Sequence, residues 1–189
     1  VLHDQWDEGL LALPAETKID TALDLERRVR AADPRITGVR VAAWGDSAGA
    51  AAYAASNGIE ACERGASCSV GIQALAASDG ETQTGAAGDA ARSFATLDVD
   101  RVVGDAANRA TRLLGATKPP SGKVAIVLEP RLAMTLVGIV AGMVDGESVL
   151  KRRTPFADRV GEQIASPLLS FADDPTDARS IAATSFDGE

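Results

Sequence analysis

The run Ile36-Thr-Gly-Val-Arg-Val-Ala-Ala-Trp44, Gly45-Asp-Ser-Ala-Gly49, Ala50-Ala-Ala-Tyr-Ala-Ala55, Ser56-Asn-Gly58 decides the fold class of this chain. Its first and third segments read as strands, and the Gly-, Asp-, Ser- and Asn-rich pieces between and after them read as turns. Ile59–Cys62 and Ser67–Ala77 continue as strand candidates, Ser78-Asp79-Gly80 turns the chain again, and Glu81–Leu97 holds one more strand plus irregular structure. The spacing implies a meander, and so a mainly antiparallel sheet.

Helices flank this sheet. Thr17–Ala32 places Ile19, Ala22, Leu23, Glu26 and Val29 at helical offsets with charges between them, and Asp33-Pro34 stops the pattern. Asp98 caps a second helix whose Val99, Val102, Val103, Ala106, Ala110, Leu113 and Leu114 share an apolar face, with Gly115 as its stop signal. Ala116-Thr-Lys-Pro-Pro-Ser-Gly122 cannot continue a helix and reads as a linker. Beyond it, Lys123–Leu128 reads as a short buried strand. Pro130 opens a helix at its favoured first position, and that helix runs to Val144 before Asp145-Gly146. The expected class is α+β: a largely antiparallel sheet with packed helices over residues 1–115, a linker at 116–122, and the start of a second α+β domain over 123–189.

Composition agrees with a globular chain. Of 189 residues 46% are apolar and 24% charged, and the aromatic residues are few, so the core must be built from small aliphatic side chains. The net charge of −8, spread along the chain, opposes a polyanionic partner, and no basic stripe with stacking aromatics is present. Direct nucleic-acid binding is therefore not expected. The longest nearly continuous apolar run, Leu132–Val144, is too short to span a bilayer, and no charged-then-apolar leader opens the sequence. Cys62 and Cys68 read as reduced thiols rather than a disulfide, which suits a cytoplasmic location.

Several short motifs mimic catalytic signatures. Gly45-Asp-Ser-Ala-Gly49 matches the G-x-S-x-G nucleophile elbow, but the histidine such a triad needs after the serine is absent, since the single histidine is His3. A hairpin turn is the better reading. Gly115–Lys123 has the glycines and lysine of a phosphate loop at the wrong interval, and its two prolines remove backbone donors. His3, close to the chain start, is read as an exposed side chain. Asp145, Glu147, Asp173 and Asp174 have the residue type for acid–base or cation chemistry but read as solvated loop acids. Lys151-Arg152-Arg153 reads as a solvated basic loop that can also hold a carboxylate of a peptide or partner through Arg forks.

The stretch Gly146-Glu-Ser-Val-Leu-Lys-Arg-Arg-Thr-Pro-Phe-Ala-Asp-Arg-Val-Gly-Glu-Gln-Ile-Ala-Ser-Pro, with Ser170-Phe-Ala-Asp-Asp-Pro and Thr184-Ser-Phe-Asp-Gly-Glu189 after it, resembles the TldD/PmbA family in both motif order and residue type. These proteins are known as modulators of DNA gyrase and classed as metallopeptidases. The resemblance runs from Lys123 to Glu189 and, more loosely, back through Ser56-Asn-Gly58 and the helix capped by Asp98. The chain starts at Val1 and stops at Glu189, where the family continues, so it is read as a fragment.

In the TldD branch a His-Glu-x-x-x-His motif precedes the Asp-Gly turn, its histidines binding zinc and its glutamate activating water. Aligned on Asp145-Gly146-Glu147, those positions fall here on Val137, Gly138 and Gly142, none of which can bind zinc or move a proton. Gly138 and Gly142 instead form a small-residue pair that permits tight helix packing. The resemblance thus implies the PmbA branch, also called TldE. It implies no cofactor in this chain, zinc in a TldD-like protease subunit as heterodimer partner, and unfolded peptides as substrate. Two alternatives stay open: an active zinc peptidase whose ligands lie outside this stretch, and a gyrase-modulating interaction protein with no proteolytic role.

Overall fold

The computed structural model describes residues 5–170 and 172–184. Two compact units are formed: the described residues up to Lys118 together with those from Asp174 onward, and residues 119–173.

The first unit is an antiparallel sheet of order β1-β2-β3, with β1 at Ile36–Ala54, β2 at Glu60–Ser78 and β3 at Glu81–Ala91. Helices α1 (Glu8–Leu11), α2 (Ala15–Ala32) and α3 (Val99–Thr111) accompany it. This is the α+β class expected from the sequence. Burial on β2 alternates strictly from Ala66 to Ala76, so Ala66, Cys68, Val70, Ile72, Ala74 and Ala76 face the core. Leu25 and Val29 of α2 and Val102, Val103, Ala106, Ala107 and Ala110 of α3 pack against Val70, Ile72, Ala74 and Ala76, and Leu10 of α1 packs with Ala66 and Cys68 in a second cluster.

Two strand boundaries differ from the expected ones. Gly45–Gly49 is not a turn: β1 runs through it unbroken, and Ile59–Cys62 and Ser67–Ala77 merge into the single partner strand β2. Each residue from Val41 to Ala54 finds a partner on β2, Ser47 opposite Ser67 and Gly49 opposite Gly65. Ladder pairing along the whole length outweighs the weak strand propensity of Gly, Asp and Ser. The chain reverses instead at Ser56-Asn57-Gly58, where Gly58 takes φ 90° and the Ala55 N–H bonds the Ile59 carbonyl at 2.9 Å. Asp79 and Gly80, at φ 51° and 81°, make the two-residue turn into β3, and consecutive left-handed residues match the twist of a hairpin.

The α2 face also differs. Ile19 and Leu23 are exposed, and Leu25 and Val29 are fully buried with Ala22 half-buried. Apolar residues are spread around more of this helix than one sheet can cover, and contact with Val102 and Ala106 selects the Leu25–Val29 stripe. Its end is as read: Asp33 follows Ala32 in extended conformation, and the Arg35 guanidinium and N–H hold the Asp33 carboxyl down at about 2. The α3 start is also as read, since Asp98 Oδ1 accepts the Arg101 N–H at 2.9 Å. Past its last turn, Gly115 at φ 76° donates its N–H to Glu81 at 2.8 Å. Leu113, expected on the apolar face, is exposed because it lies beyond the regular helix.

In the second unit α4 (Pro130–Val144) and α5 (Gly146–Leu150) follow one another, with proline in the first turn of α4 as expected. Lys123–Leu128 forms no strand and is not buried; Val127 is 98% exposed. A strand exists only where neighbouring backbone takes its N–H and C=O groups, and among the described residues none lies beside this segment. No described residue of 119–173 is buried.

Candidate functional site

Val137, Gly138 and Gly142, the positions expected from the sequence to align with a zinc motif, lie on α4. Val137 is half-buried, and Gly138 and Gly142 are exposed, with open space where a side chain would start. Among the described residues no backbone approaches this glycine pair. Asp145 links α4 to α5 and caps the latter, its carboxylate accepting the Ser148 N–H at 3.1 Å. Glu147 pairs with Lys151 one turn later. Arg152, at φ 53°, donates from Nη2 to both oxygens of Asp158 at 2.7 and 2.6 Å. Two of the three basic side chains of the 151–153 run are thus engaged by local acids, and Arg153 is exposed with its N–H on the Ser148 carbonyl.

The remaining acids serve local geometry. Asp174 accepts the N–H and hydroxyl of Thr176 at 3.0 and 2.7 Å, a side-chain-stabilised turn of the kind its sequence suggested. Asp173 is exposed. His3 lies outside the described residues, as do Phe171 and Ser185–Glu189 of the family-like motifs. Among the described residues no three His, Cys, Asp or Glu side chains gather as metal ligands. Zinc demands imidazole, thiolate or carboxylate donors, and Val137, Gly138 and Gly142 offer none. These three residues do not fit the metal.

The nucleophile-elbow match is resolved by geometry. Ser47 sits mid-strand with its Oγ 3.2 Å from Ser67 Oγ, a cross-strand hydroxyl pair rather than a strained turn. The adjacent Asp46 accepts from Lys18 Nζ at 2.8 Å and Trp44 Nε1 at 2.7 Å, and these donors, the lysine first, hold its carboxyl below the usual range. Cys62 and Cys68 are both free; Cys62 is exposed, and burial pushes the Cys68 thiol up. No helix among the described residues is long and apolar enough to cross a membrane.

What sequence reasoning did not single out is Gly85. A Cβ there would stand 2.1 Å from the Ala110 nitrogen and 2.4 Å from the Ala106 carbonyl, so α3 rests directly on the backbone of β3. A glycine inside a strand candidate is the available signal for such an approach.

Comparison with known proteins follows this geometry. The profile of the PmbA/TldA metallopeptidase central domain matches residues 8–114, and that of the PmbA/TldA metallopeptidase C-terminal domain matches 121–189. Metalloprotease PmbA of Escherichia coli O157:H7 is 26% identical over 181 residues, covering 93% of this chain and 40% of the relative. Metalloprotease MJ0996 of Methanocaldococcus jannaschii is 33% identical over 86 residues, 45% of this chain and 19% of that protein. Among solved structures, TM0727 of Thermotoga maritima, a candidate modulator of a DNA gyrase, superposes with a TM-score of 0.89 at 22% identity, over 97% of this chain and 42% of that one. TldE from Thermococcus kodakarensis does so at 0.64 and 19% identity, over 85% and 37%. The chain therefore spans about two fifths of the length of the PmbA relative. With two successive domain profiles accounting for residues 8–114 and 121–189, the chain belongs to the PmbA/TldD family of metallopeptidases.

Proposed function

We propose that this protein is a PmbA/TldE-like, non-catalytic subunit of a metallopeptidase that processes or degrades unfolded peptides in the cytoplasm, with zinc carried by a TldD-like partner. The observation that carries this reading is the occupation of the zinc-motif positions by Val137, Gly138 and Gly142. Valine and glycine have no donor atom in the side chain, so neither a coordinated metal nor an activated water can form at that place on α4. The engagement of Lys151 by Glu147 and of Arg152 by Asp158 leaves Arg153 as the member of the basic run best placed for a peptide carboxylate. A subunit without metal still raises the rate when it positions an extended chain and keeps competing groups out, because orientation alone lowers the barrier.

The test is made on the full protein, purified alone and together with a TldD-like subunit. Metal analysis is expected to find no stoichiometric zinc in the protein alone, and cleavage of an unfolded peptide is expected only when the partner is present. Stoichiometric zinc with chelator-sensitive cleavage by the protein alone would overturn the reading in favour of ligands outside residues 1–189. Co-purification with gyrase and with no TldD-like subunit would instead support an interaction protein without a proteolytic role.

A further inference from the structure

We propose that Gln5 and Arg92 form a peptide site that receives a carboxylate, occupied in this structure by the chain's own loop of residues 175–184, which a peptide carrying a carboxylate displaces. Both side chains are set by one edge of β2. β3 ends at Ala91, opposite Cys68, and three residues back along β2 the backbone of Gln5 takes its place, bridging Gly65 on the side away from Gly49 and accepting the Ala66 N–H at 2.8 Å. Arg92 follows Ala91 directly. Its Nη2 donates to the Ser180 carbonyl, and Gln5 Nε2 donates to the Ala183 carbonyl, again three residues apart. The grip is therefore on main chain. The one side chain the seat selects is the buried methyl of Ala183, so a small residue is required there.

The loop is built to leave as one piece. Its backbone closes on itself: Ser180 donates to Asp177 at 2.9 Å, Ala183 to Ser180 at 3.3 Å and Thr184 to Pro175 at 2.7 Å. These bonds survive detachment from the sheet, and such units open at far lower cost than global unfolding. Its fit to the arginine is also incomplete. Arg92 Nε is buried, and among the described residues no acceptor meets it. A buried N–H left without an acceptor is costly. A carbonyl presents one oxygen, which Nη2 takes, whereas a carboxylate presents two at the spacing of the guanidinium fork and adds the opposite charge. A carboxylate in place of the Ser180 carbonyl thus satisfies Nε and Nη2 together. Because Nε is enclosed, the carboxylate reaches it only by displacing the loop.

A peptide as ligand rests on the reading above, in which this subunit holds peptide chains. Binding is measured here without zinc or cleavage. Zinc in the protein alone, or cleavage without a partner, would sink that reading and leave this site standing.

Fluorescence anisotropy on the full protein tests it with labelled peptides of glycine, alanine and serine: one with a free C-terminal carboxylate, its C-terminal amide, and the amide with one internal aspartate. The plain amide is expected to bind about tenfold weaker than the better of the other two, the loss of a charge-assisted fork. Which acid-bearing peptide binds tighter shows whether a terminal or a side-chain carboxylate is taken. In the parent protein, bound peptide is expected to speed tryptic cleavage after Arg179, since loop and ligand exclude one another. Arg92→Lys keeps the charge, loses the fork, and is expected to erase the preference over the amide. Ala183→Lys unseats the loop without adding a rival carboxylate and is expected to tighten binding about tenfold, because the site no longer has to open first. The peptide series and the cleavage assay use the parent protein, so they decide the matter even where a variant fails to fold. No binding, equal binding of the three peptides, cleavage after Arg179 unmoved by bound peptide, a preference that survives in folded R92K, or no gain in folded A183K would each overturn the proposal.

Discussion

At Gly85 the absence of a side chain is a structural requirement. Its Cβ position is occupied by the backbone of α3 at Ala106 and Ala110, atoms that cannot rotate away as a side-chain tip would. Gly85→Ala must therefore push α3 off the sheet and loosen the packing of Ala74 and Ile72 beneath it. The expected cost is about 1–3 kcal/mol or more, as for overpacked cores, and chemical denaturation of the variant against the parent measures it. Gly138 and Gly142 are the contrasting case, with open space at both positions. Sequence alone does not separate these glycines, since the difference lies in what another element places against them.

Among the elements, α3 is the one whose sequence says most. Its capping aspartate and apolar stripe are local signals, and the helix starts where they place it but ends at Thr111, a turn before the glycine read as its stop. Asp98→Ala removes the carboxylate that satisfies the Arg101 N–H, and a loss of about 1 kcal/mol is expected from thermal unfolding. β1 is the opposite case. Gly45-Asp-Ser-Ala-Gly49 carries turn chemistry and becomes strand because β2 runs alongside it for its full length. Lys123–Leu128 fails in the other direction, with strand-like residues and no neighbouring strand among the described residues. Helix signals are carried within a few residues of one another, whereas strand signals depend on a partner distant in sequence.

For the whole molecule, the described residues from Asp174 onward belong with the first unit, although the segment before them forms a unit of its own. Ala183 is 4% exposed, its carbonyl accepts from the Gln5 side chain, and Arg92 donates to the Ser180 carbonyl. Putting a charge at Ala183 would leave it buried and unpaired, so the segment is expected to detach. Ala183→Asp should accordingly speed tryptic cleavage after the exposed Arg179 well above the parent rate, with global unfolding little changed.

The sequence by itself determined the α+β class, the helix end at Asp33, the helix start at Asp98, and the turns at Ser56–Gly58 and Ser78–Gly80. Each of these rests on covalent chemistry or on contacts within one or two turns. Only the tertiary structure decided that β1 passes straight through its turn-like middle, that Leu25 and Val29 rather than Ile19 and Leu23 face the core, and that Gly85 seats α3. Those outcomes turn on pairing and close packing between residues far apart in the chain, where the free energy of a long ladder or a buried face exceeds the local preference of any residue in it.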